Sequence, residues 1–366
     1  MRIHLIILLL MTSQAFSQNR EITFPDVPGY KTLVCDFHQH TVFSDGSVWP
    51  DIRVQEAVLD GLDAISLTEH IEYQPHKSDI PHPDRNRSFE VAKEWAESRD
   101  KDLIIVHGTE ITRSMPPGHG NAIFIQDVNK IILDDPIEAY REANAQGAFV
   151  FWNHPHWPAQ KPDGIAELTD MHRQLISEGL LHGIEVVNEG TYSDEALTIA
   201  QENNLTIMGT SDIHGLVDWL FDIPGGGHRP VTLVFASERN EASIKEALIE
   251  KRTVAWFKNN LIGNERELVP LLNSCLTAES ASYLEKTSVA VAKISNKSDA
   301  TMMLLNESDY TFHQNGHLLE IPAHESVELQ VKTFEEKESF QLTFQVLNAI
   351  TAPGVHPKIT LTFESE

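Results

Sequence analysis

The sequence predicts an α/β barrel followed by a small β-sandwich. From residue 30 to about 264, apolar runs alternate with amphipathic stretches, and most of the runs end in Asp, Glu or His. Repeated strand and helix units of this kind form parallel sheets, closed or nearly closed into barrels. From about residue 277 the pattern changes to short apolar runs separated by polar turns such as QNG and PAHES, which is typical of a sandwich.

The barrel region is predicted to contain alternating strands and helices, with a strand count near seven. The predicted strands are 33–40, 64–70, 103–110, 148–154, 183–188, 205–211, 231–236 and 252–257. The predicted helices are 50–61, 87–101, 135–146, 168–179, 194–203 and 243–251. The segment FDIPGGGHR at 221–229 has three consecutive glycines and is predicted to be a mobile loop over the site.

The C-terminal region, 277–366, is predicted to be an accessory domain. Its strand-like runs are 289–294, 302–305, 317–321, 327–331, 340–347 and 359–363. It carries His313, His317 and His324, which are scattered and therefore expected to be solvated side chains. We expect no catalytic residue in this region.

The N-terminal segment 1–18 is predicted to be a secretory signal peptide. It has a basic start at Arg2, an apolar run from 3 to 11, and small residues in the order A-F-S before Gln18. These features are typical of signal peptides, and the apolar run is shorter than the ~20 residues that span a bilayer. We therefore expect an exported protein, periplasmic or secreted, with no membrane span.

The composition disfavours two classes of partner. The formal net charge is −26, whereas nucleic acids and anionic membranes require a basic surface. Cys35 and Cys275 are the only cysteines. Export permits disulfides, so a bridge between them stays open, but two buried thiols are the preferred interpretation.

Metal-binding side chains stand at the ends of successive predicted strands. They are His38, His40, Asp45, His70, Glu110, His154, Asp212 and His214. In parallel barrels the chemistry collects at the carboxyl ends of the strands. His38 and His40 are separated by one residue, so on a strand both side chains point to the same face. Polar groups in this number cannot be buried without partners, and cations satisfy them. We therefore predict one polynuclear metal centre.

The same motifs resemble those of a known family. DFHQHTVFSDG, LTEH, GTEI, GHGNAIFI, NHPH, GIEVVN and GTSDIH together resemble the polymerase and histidinol phosphatase (PHP) family of metal-dependent phosphoesterases, over roughly residues 30–264. The resemblance implies a distorted (βα)7 TIM-like barrel with a trinuclear metal centre, and it adds His119 to the ligands. His107 is a nearby alternative to His119, but its position inside a strand favours a core role.

The resemblance also implies how the ligands are shared among three divalent ions. The first ion would be held by His38, His40, Glu110 and Asp212, the second by Glu110 as a bridge with His119 and His154, and the third by Asp45, His70 and His214. Mixed imidazole and carboxylate ligation suits Zn, Mn or Fe better than Mg. The family commonly has Asp before the histidine of its second motif, where this chain has Glu69. The residue at that position is expected to orient a metal ligand through a hydrogen bond, so the departure affects this hydrogen bond and no metal ligand itself.

The predicted activity is hydrolysis of a small organic phosphate. Three divalent ions with three carboxylate ligands leave a positive site that attracts phosphate and lowers the pKa of bound water, which gives a hydroxide nucleophile. Arg113 and Arg229 are candidates to clamp phosphate oxygens, and His156 is a candidate to protonate the leaving group. The structural alternatives are ion pairs for the arginines and a hydrogen-bonded rim position for His156. Glu185 and Asn188 are candidates to orient water or substrate.

Two other functions stay open at this point. The metal chemistry does not separate monoesters from diesters, so a phosphodiesterase of the same family is one alternative. The other is a non-catalytic protein that holds a ligand or glycan at the cell surface. The complete set of ligand positions favours an enzyme, since binding alone needs no source of hydroxide.

Overall fold

The computed structural model describes residues 20–365. The predicted signal peptide, 1–18, lies outside the described residues. Within the described part of the chain, no helix has both the length and the apolar character needed to cross a membrane.

The N-terminal part of the described chain alternates strands and helices, as predicted. The strands are β1 (Lys31–Asp36), β2 (Ala64–Leu67), β3 (Ile104–Ile111), β4 (Gly120–Ile123), β5 (Phe149–Trp152), β6 (Gly183–Asn188), β7 (Thr191–Tyr192), β8 (Thr206–Thr210), β9 (Val231–Ala236), β10 (Thr253–Phe257) and β11 (Asn260–Gly263). The helices are α1 (Pro50–Leu59), α2 (Arg87–Ser98), α3 (Pro136–Ala145), α4 (Asp170–Ser177), α5 (Asp194–Glu202), α6 (Val217–Leu220), α7 (Glu241–Ile249) and α8 (Glu265–Cys275). Short 3-10 turns occur at Val128–Ile131 and Ile223–Gly225.

These strands form one curved sheet with its parallel strands in the middle. β1, β2 and β3 pair in parallel, and so do β5, β6 and β8. β4 lies between β3 and β5 and is antiparallel to both. On the other side β9 is antiparallel to β1. The end of β8 returns to the end of β1, where the backbone N–H of His40 donates to the carbonyl of Ile213 at 3.0 Å.

The count of seven parallel repeats is not confirmed. The predicted runs that form β9 and β10 pair antiparallel with their neighbours, as does β4, which was not predicted as a strand. The curved α/β sheet itself is present, and the return of β8 to β1 brings the carboxyl ends of the parallel strands together. That face carries the candidate site.

The C-terminal part is a β-sandwich, as predicted. Its strands are β12 (Leu276–Ala278), β13 (Ser282–Tyr283), β14 (Val289–Asn296), β15 (Met302–Asn306), β16 (Thr311–Phe312), β17 (Leu318–Ile321), β18 (Ser326–Lys332), β19 (Ser339–Val346), β20 (Ala349–Ile350) and β21 (Lys358–Glu364). One sheet has the order β12, β14, β18, β16, and the other has the order β17, β15, β19, β21. Buried residues alternate with half-buried residues along β14 and with exposed residues along β21, as expected for strands with one face in a core.

The sandwich and the barrel share one core. β20 leaves the sandwich and pairs in parallel with β11 of the barrel sheet. The side chain of Asn348 donates to the carbonyls of Asn259 and Thr301 at 2.7 and 2.8 Å. Buried leucines of α8 belong to the same apolar cluster as the inner residues of both sandwich sheets. The two regions therefore form a continuous packed unit.

Both cysteines are buried free thiols, which confirms the preferred interpretation. Burial raises the pKa of Cys35 well above its usual value and that of Cys275 to about 12. Thiols in this state are unreactive.

A chain truncated after Leu276 is expected to lose cooperative folding. The truncation would expose Leu268, Leu271 and Leu272, which are fully buried. Each is worth about 1.5 to 3 kcal/mol of burial, against a total stability of about 5 to 15 kcal/mol for a typical domain. Thermal unfolding followed by circular dichroism, with the full-length chain as control, measures the effect. A truncated chain that melts cooperatively near the full-length temperature would contradict the shared core.

Candidate metal centre

The predicted ligands converge on the carboxyl face of the sheet. His38 and His40 directly follow β1, His70 follows β2, and Glu110 lies near the end of β3. His154 and Asp212 follow β5 and β8 with positive φ angles of 28° and 47°. Positive φ is uncommon for residues other than glycine and is found at functional sites, where the surrounding structure imposes it. The structure thus uses strained backbone to turn these two side chains inward.

The two imidazoles assigned to the first ion lie against each other and against both carboxylates assigned to it. The Nε2 atoms of His38 and His40 are 3.0 Å apart. Each lies 3.1 Å from Oδ1 of Asp212 and 3.3 Å from Oε2 of Glu110. Both imidazoles and Glu110 are fully buried. The ligand atoms of His38, His40 and Glu110 are close enough to surround a single ion, and Asp212 lies against the two imidazoles.

Glu110 also faces the ligands assigned to the second ion. Its Oε1 lies 2.5 Å from Nδ1 of His119 and 3.8 Å from Nε2 of His154, whereas its Oε2 faces His38 and His40. The two oxygens therefore point to different imidazoles, as a bridging carboxylate requires. His70 also approaches Glu110, with 3.0 Å between Nδ1 and Oε2.

The antiparallel strand β4 explains how His119 reaches the centre. In the β3–β4 pairing, Ile111 lies opposite Gly120, so His119 comes next to the end of β3. The alternative, His107, stacks on Phe89 with ring centroids 4.1 Å apart. Burial lowers the pKa of His107 to about 4. His107 is therefore a neutral core histidine.

The ligands assigned to the third ion gather around Asp45. Its carboxylate lies 3.1 Å from Nε2 of His214 and 3.5 Å from Nε2 of His70. His40 is close to the same group, with 3.8 Å between its Nδ1 and Asp45. All nine predicted ligands thus lie in one continuous cluster. Within this cluster, His40 also lies close to Asp45 and His70 also lies close to Glu110, so the three groups of ligands are joined.

The ionisable groups of the cluster shift one another's pKa values. Burial opposes ionisation of Glu110, but the neighbouring imidazoles of His70 and His119 hold its pKa well below the usual value. Burial likewise opposes protonation of His70, but Glu110 and Asp45 raise its pKa to about 10. The same competition lowers the pKa of Asp212 and raises that of His38. The carboxylates of the cluster therefore strongly stabilise positive charge at this site.

Buried atoms without hydrogen-bond partners show that the cluster fits metal ions. Within the described residues, these atoms include Oε1 of Glu110, Oδ1 of Asp212, Oδ1 of Asp45 and Nδ1 of His119, which lie close to other ligand atoms without the geometry of a hydrogen bond. Unpartnered buried polar atoms are rare and costly. Carboxylate oxygens and imidazole nitrogens are ligands that divalent transition metals share, so such ions would satisfy all four atoms.

Glu185 supports two ligands in a way that the sequence analysis did not specify. One of its oxygens accepts hydrogen bonds from Nδ1 of His38 at 2.7 Å and from Oγ1 of Thr210 at 2.6 Å. The other accepts from the backbone N–H of His154 at 2.7 Å and from the side chain of Asn188 at 2.9 Å. Donation from Nδ1 leaves Nε2 of His38 free for a metal. The sequence signal was an acidic residue inside the apolar run GIEVVN.

Two other buried side chains fix the loops that carry ligands. Glu69 accepts hydrogen bonds from the backbone and hydroxyl of Thr41 and from the hydroxyl of Ser44, which holds the loop leading to Asp45. Arg53 donates to the carbonyls of His40 and Ile213 at 3.0 and 3.1 Å. The sequence analysis did not identify Arg53. Its signal in the sequence was a charged residue three positions before Glu56, and both are buried on the same face of α1.

Replacing Glu185 by glutamine is expected to weaken metal binding about 10- to 100-fold, the range measured when groups that orient metal ligands are changed. An amide cannot accept hydrogen bonds on both sides, so His38 or His154 would lose its orienting partner. Competition with a chelator of known affinity measures the effect. Glu202→Gln, at an exposed position of α5, is the matched control. Equal metal affinity in both variants would contradict the supporting role of Glu185.

His156 lies beside the centre in a buried position. Its Nε2 is 2.8 Å from the hydroxyl of Thr191, which itself donates to the carbonyl of Asn188. Nε2 of His156 is therefore the donor to Thr191. Burial lowers the pKa of His156, so the ring is neutral at neutral pH. Its Nδ1 has no hydrogen-bond partner within the described residues and is available as an acceptor.

The two arginines proposed as phosphate clamps are engaged elsewhere. Arg113 pairs with Glu72 at 2.8 Å and donates to the carbonyl of Asp134 at 3.3 Å. Arg229 is fully buried, and its guanidinium is 2.7 Å from Asp60 and 3.3 Å from Asp36. A guanidinium closed off from solvent by two carboxylates does not bind substrate. Arg229 therefore forms a buried ion pair, as in the alternative stated for it, and is not a phosphate clamp.

The glycine-rich segment, which is predicted to be a mobile loop, contains a compact turn. Ile223–Gly225 is a 3-10 turn, and a Cβ atom on Gly227 would lie 1.9 Å from the carbonyl oxygen of Phe221. The segment lines a cleft of about 1390 Å³ at the boundary with the sandwich, together with Asp299 and His324. The residues that line this cleft include no predicted metal ligand. Glu189, which also lines the cleft, interacts electrostatically with Asp212, His214 and His154, and the position of the loop over the metal centre stays a prediction.

A solved structure matches nearly the whole chain. It is a two-domain protein from Bacteroides vulgatus, described as containing a predicted PHP-like metal-dependent phosphoesterase. The two proteins are 42% identical, the match covers 94% of this chain and 98% of the other, and the TM-score is 0.87. The chain belongs to the PHP family. A family model described as an Ig-like domain matches residues 276–362 of this PHP protein, which agrees with its C-terminal sandwich.

Two other similarities are partial. A candidate metal-dependent phosphoesterase from Bifidobacterium adolescentis is 19% identical, with 50% of this chain and 88% of the other covered and a TM-score of 0.38. An uncharacterized protein of Methanocaldococcus jannaschii is 35% identical over 82 residues. That match spans 22% of this PHP protein and 34% of the relative's own length.

Proposed function

We propose that the protein is a metal-dependent phosphoesterase that releases phosphate from a small organic phosphate. The observation that carries the proposal is the placement of Glu110. Its two oxygens face separate sets of imidazoles within a buried cluster of metal-binding side chains. A carboxylate in this position fixes the spacing of two ions, which is the arrangement used for in-line displacement at phosphorus.

The residues of the cluster would hold up to three divalent ions of Zn, Mn or Fe in the grouping described above. Such ions supply a nucleophile at neutral pH by lowering the pKa of water, and they neutralise charge on the phosphoryl oxygens. The protein contributes the fixed geometry. Glu185, Glu69 and Arg53 hold the ligand-bearing loops through hydrogen bonds that are already formed.

We assign His156 the role of an acceptor instead of the proton donor expected from the sequence. Its ring is neutral at neutral pH and its Nε2–H is directed to Thr191. Its Nδ1 has no partner within the described residues but is shielded from solvent, so it would accept a hydrogen bond from a substrate hydroxyl only when the side chains around it open. Arg113 remains a candidate for substrate contact only if its ion pair with Glu72 opens.

We also propose that the protein is exported after removal of residues 1–18. The support is the basic start, the short apolar run and the A-F-S sequence. N-terminal sequencing of protein from the native cell envelope tests this, and an intact Met1 in a cytoplasmic fraction would contradict it. The net charge of −26 supports a small phosphorylated substrate over nucleic acid as the partner.

Elemental analysis combined with a phosphate-release screen tests the proposed function. The expected result is about three transition-metal ions per chain, in line with the number of mixed imidazole and carboxylate ligands, and release of phosphate from monoesters. Turnover confined to diesters would establish the phosphodiesterase alternative. A fully loaded protein with no turnover of either class would favour the ligand-binding alternative.

A further inference from the structure

Two exposed aromatic side chains touch the imidazoles of the metal centre. The Trp157 ring centroid lies 5.7 Å from that of His119 and 5.3 Å from that of His154. The Tyr73 ring lies 5.9 Å from that of His70. Trp157 is 43% exposed and Tyr73 is 52% exposed, although the imidazoles beneath them are buried. Large aromatic groups exposed beside a buried polar site mark contact with a ligand.

The two aromatic rings flank the same corner of the centre. The His70 and His119 rings between them are 5.4 Å apart, and both approach Glu110. Tyr73 comes from the loop after β2 and Trp157 from the loop after β5, so two separate parts of the chain place aromatic rings at this corner.

The backbone around Trp157 is fixed by a tight turn. Its N–H donates to the carbonyl of His154 at 2.9 Å, and its carbonyl accepts from the N–H groups of Gln160 and Lys161 at 3.0 and 2.8 Å. An aromatic ring on a fixed backbone binds a ligand with little loss of conformational entropy. Trp157 therefore has the properties of a binding platform.

We propose that Trp157 and Tyr73 bind the alcohol part of the substrate, and that this part has a flat apolar face. The inference rests on the proposed phosphoesterase function and names its substrate class. A flat apolar face is presented by an aromatic ring or by the C–H face of a sugar ring. The cluster of imidazoles and carboxylates supplies the site for the phosphoryl group, so the aromatic rings at this corner discriminate between alcohols.

The experiment compares three phosphate monoesters with primary alcohols as leaving groups, so that their intrinsic reactivities are similar. They are benzyl phosphate, a hexose phosphate esterified at its primary hydroxyl, and ethyl phosphate. The values of kcat/KM and the metal content are measured for the wild type, Trp157→Ala and Tyr73→Ala. Trp219→Ala is the matched control, because Trp219 is 82% exposed and no described ring contact joins it to a predicted ligand.

The wild type is expected to prefer benzyl phosphate or the hexose phosphate to ethyl phosphate. Trp157→Ala should reduce that preference about 5- to 10-fold, the scale of one aromatic contact, with a smaller change in ethyl phosphate turnover than in turnover of the preferred ester. The preferred ester identifies the ring as aromatic or sugar. No preference in the wild type, or an equal loss on all three esters in Trp157→Ala, would overturn the proposal.

A binding measurement separates this inference from the proposed function. If the wild type hydrolyses no ester, the phosphoesterase proposal fails, and calorimetry with benzylphosphonate and ethylphosphonate then decides the role of the aromatic rings. Tighter binding of benzylphosphonate that Trp157→Ala removes would support the aromatic platform. Equal binding of the two phosphonates would show that the aromatic rings do not bind an aromatic alcohol part. Comparing a hexose phosphonate with ethylphosphonate in the same way tests whether they bind a sugar ring.

Discussion

Glu110→Gln is expected to lower turnover at least about 100-fold, the scale on which displacement of a catalytic group by an ångström acts. Glu110 is fully buried and its two oxygens face different imidazoles. Glutamine would offer one oxygen and one NH2 group, so one side of the bridge would present a donor to a cation. Loss of the bridging negative charge also strengthens repulsion between the neighbouring ions.

Metal content and phosphate-release kinetics are measured together on Glu110→Gln, with Glu202→Gln as the control for the same chemical change at an exposed position. Reduced metal content and reduced turnover are expected together. Full metal content with near-normal turnover would show that the bridging assignment is wrong. Asp212 would then be the next candidate, since both oxygens of Glu185 already accept two hydrogen bonds each.

Arg229→Ala is expected to destabilise the protein by about 3 to 5 kcal/mol, the cost of leaving a buried carboxylate, here Asp36, without its cationic partner. Arg229 is fully buried between Asp36 and Asp60. Asp36 in turn accepts hydrogen bonds from the backbone and hydroxyl of Ser211, the residue before Asp212. The substitution should therefore also loosen the metal centre.

Urea unfolding of the wild type and of Arg229→Ala measures the loss of stability. Arg239→Ala is the matched control, because its ion pairs with Asp63 and Asp102 are partly exposed and such pairs contribute about 0 to 1 kcal/mol. Wild-type stability of Arg229→Ala, combined with a raised KM for phosphate esters, would contradict the structural role and restore the clamp predicted from the sequence.

The strand-end ligands could be predicted because their signal is local. An acid or imidazole after each apolar run is visible in the sequence, and the parallel strand rule places these residues on one face. The family motifs supplied His119, whose position depends on the antiparallel pairing of β4 with β3. A run of four buried residues does not reveal the direction in which it pairs.

The roles of Arg229 and Glu185 could not be predicted because they depend on distant partners. Arg229 pairs with Asp60, which is 169 residues away, and Glu185 accepts from His38, which is 147 residues away. A charged residue after a glycine-rich loop looks the same in sequence whether it faces substrate or closes a buried ion pair. The shared core of barrel and sandwich is hidden for the same reason, since β20 and β11 are far apart in the chain.

The side chains of the metal centre differ in how much they are exposed to solvent. The side chains of His38, His40 and Glu110 are 0% exposed, whereas Asp45 is 22% exposed and His214 is 40% exposed. An ion held by Asp45 and His214 would therefore be in direct reach of solution, whereas an ion held by the buried ligands would leave only when the surrounding loops open. Exchange with the medium is expected to be fast at the outer position and slow at the inner one. The metal composition of the isolated protein would then record the cell's supply at the inner position and the purification buffer at the outer one.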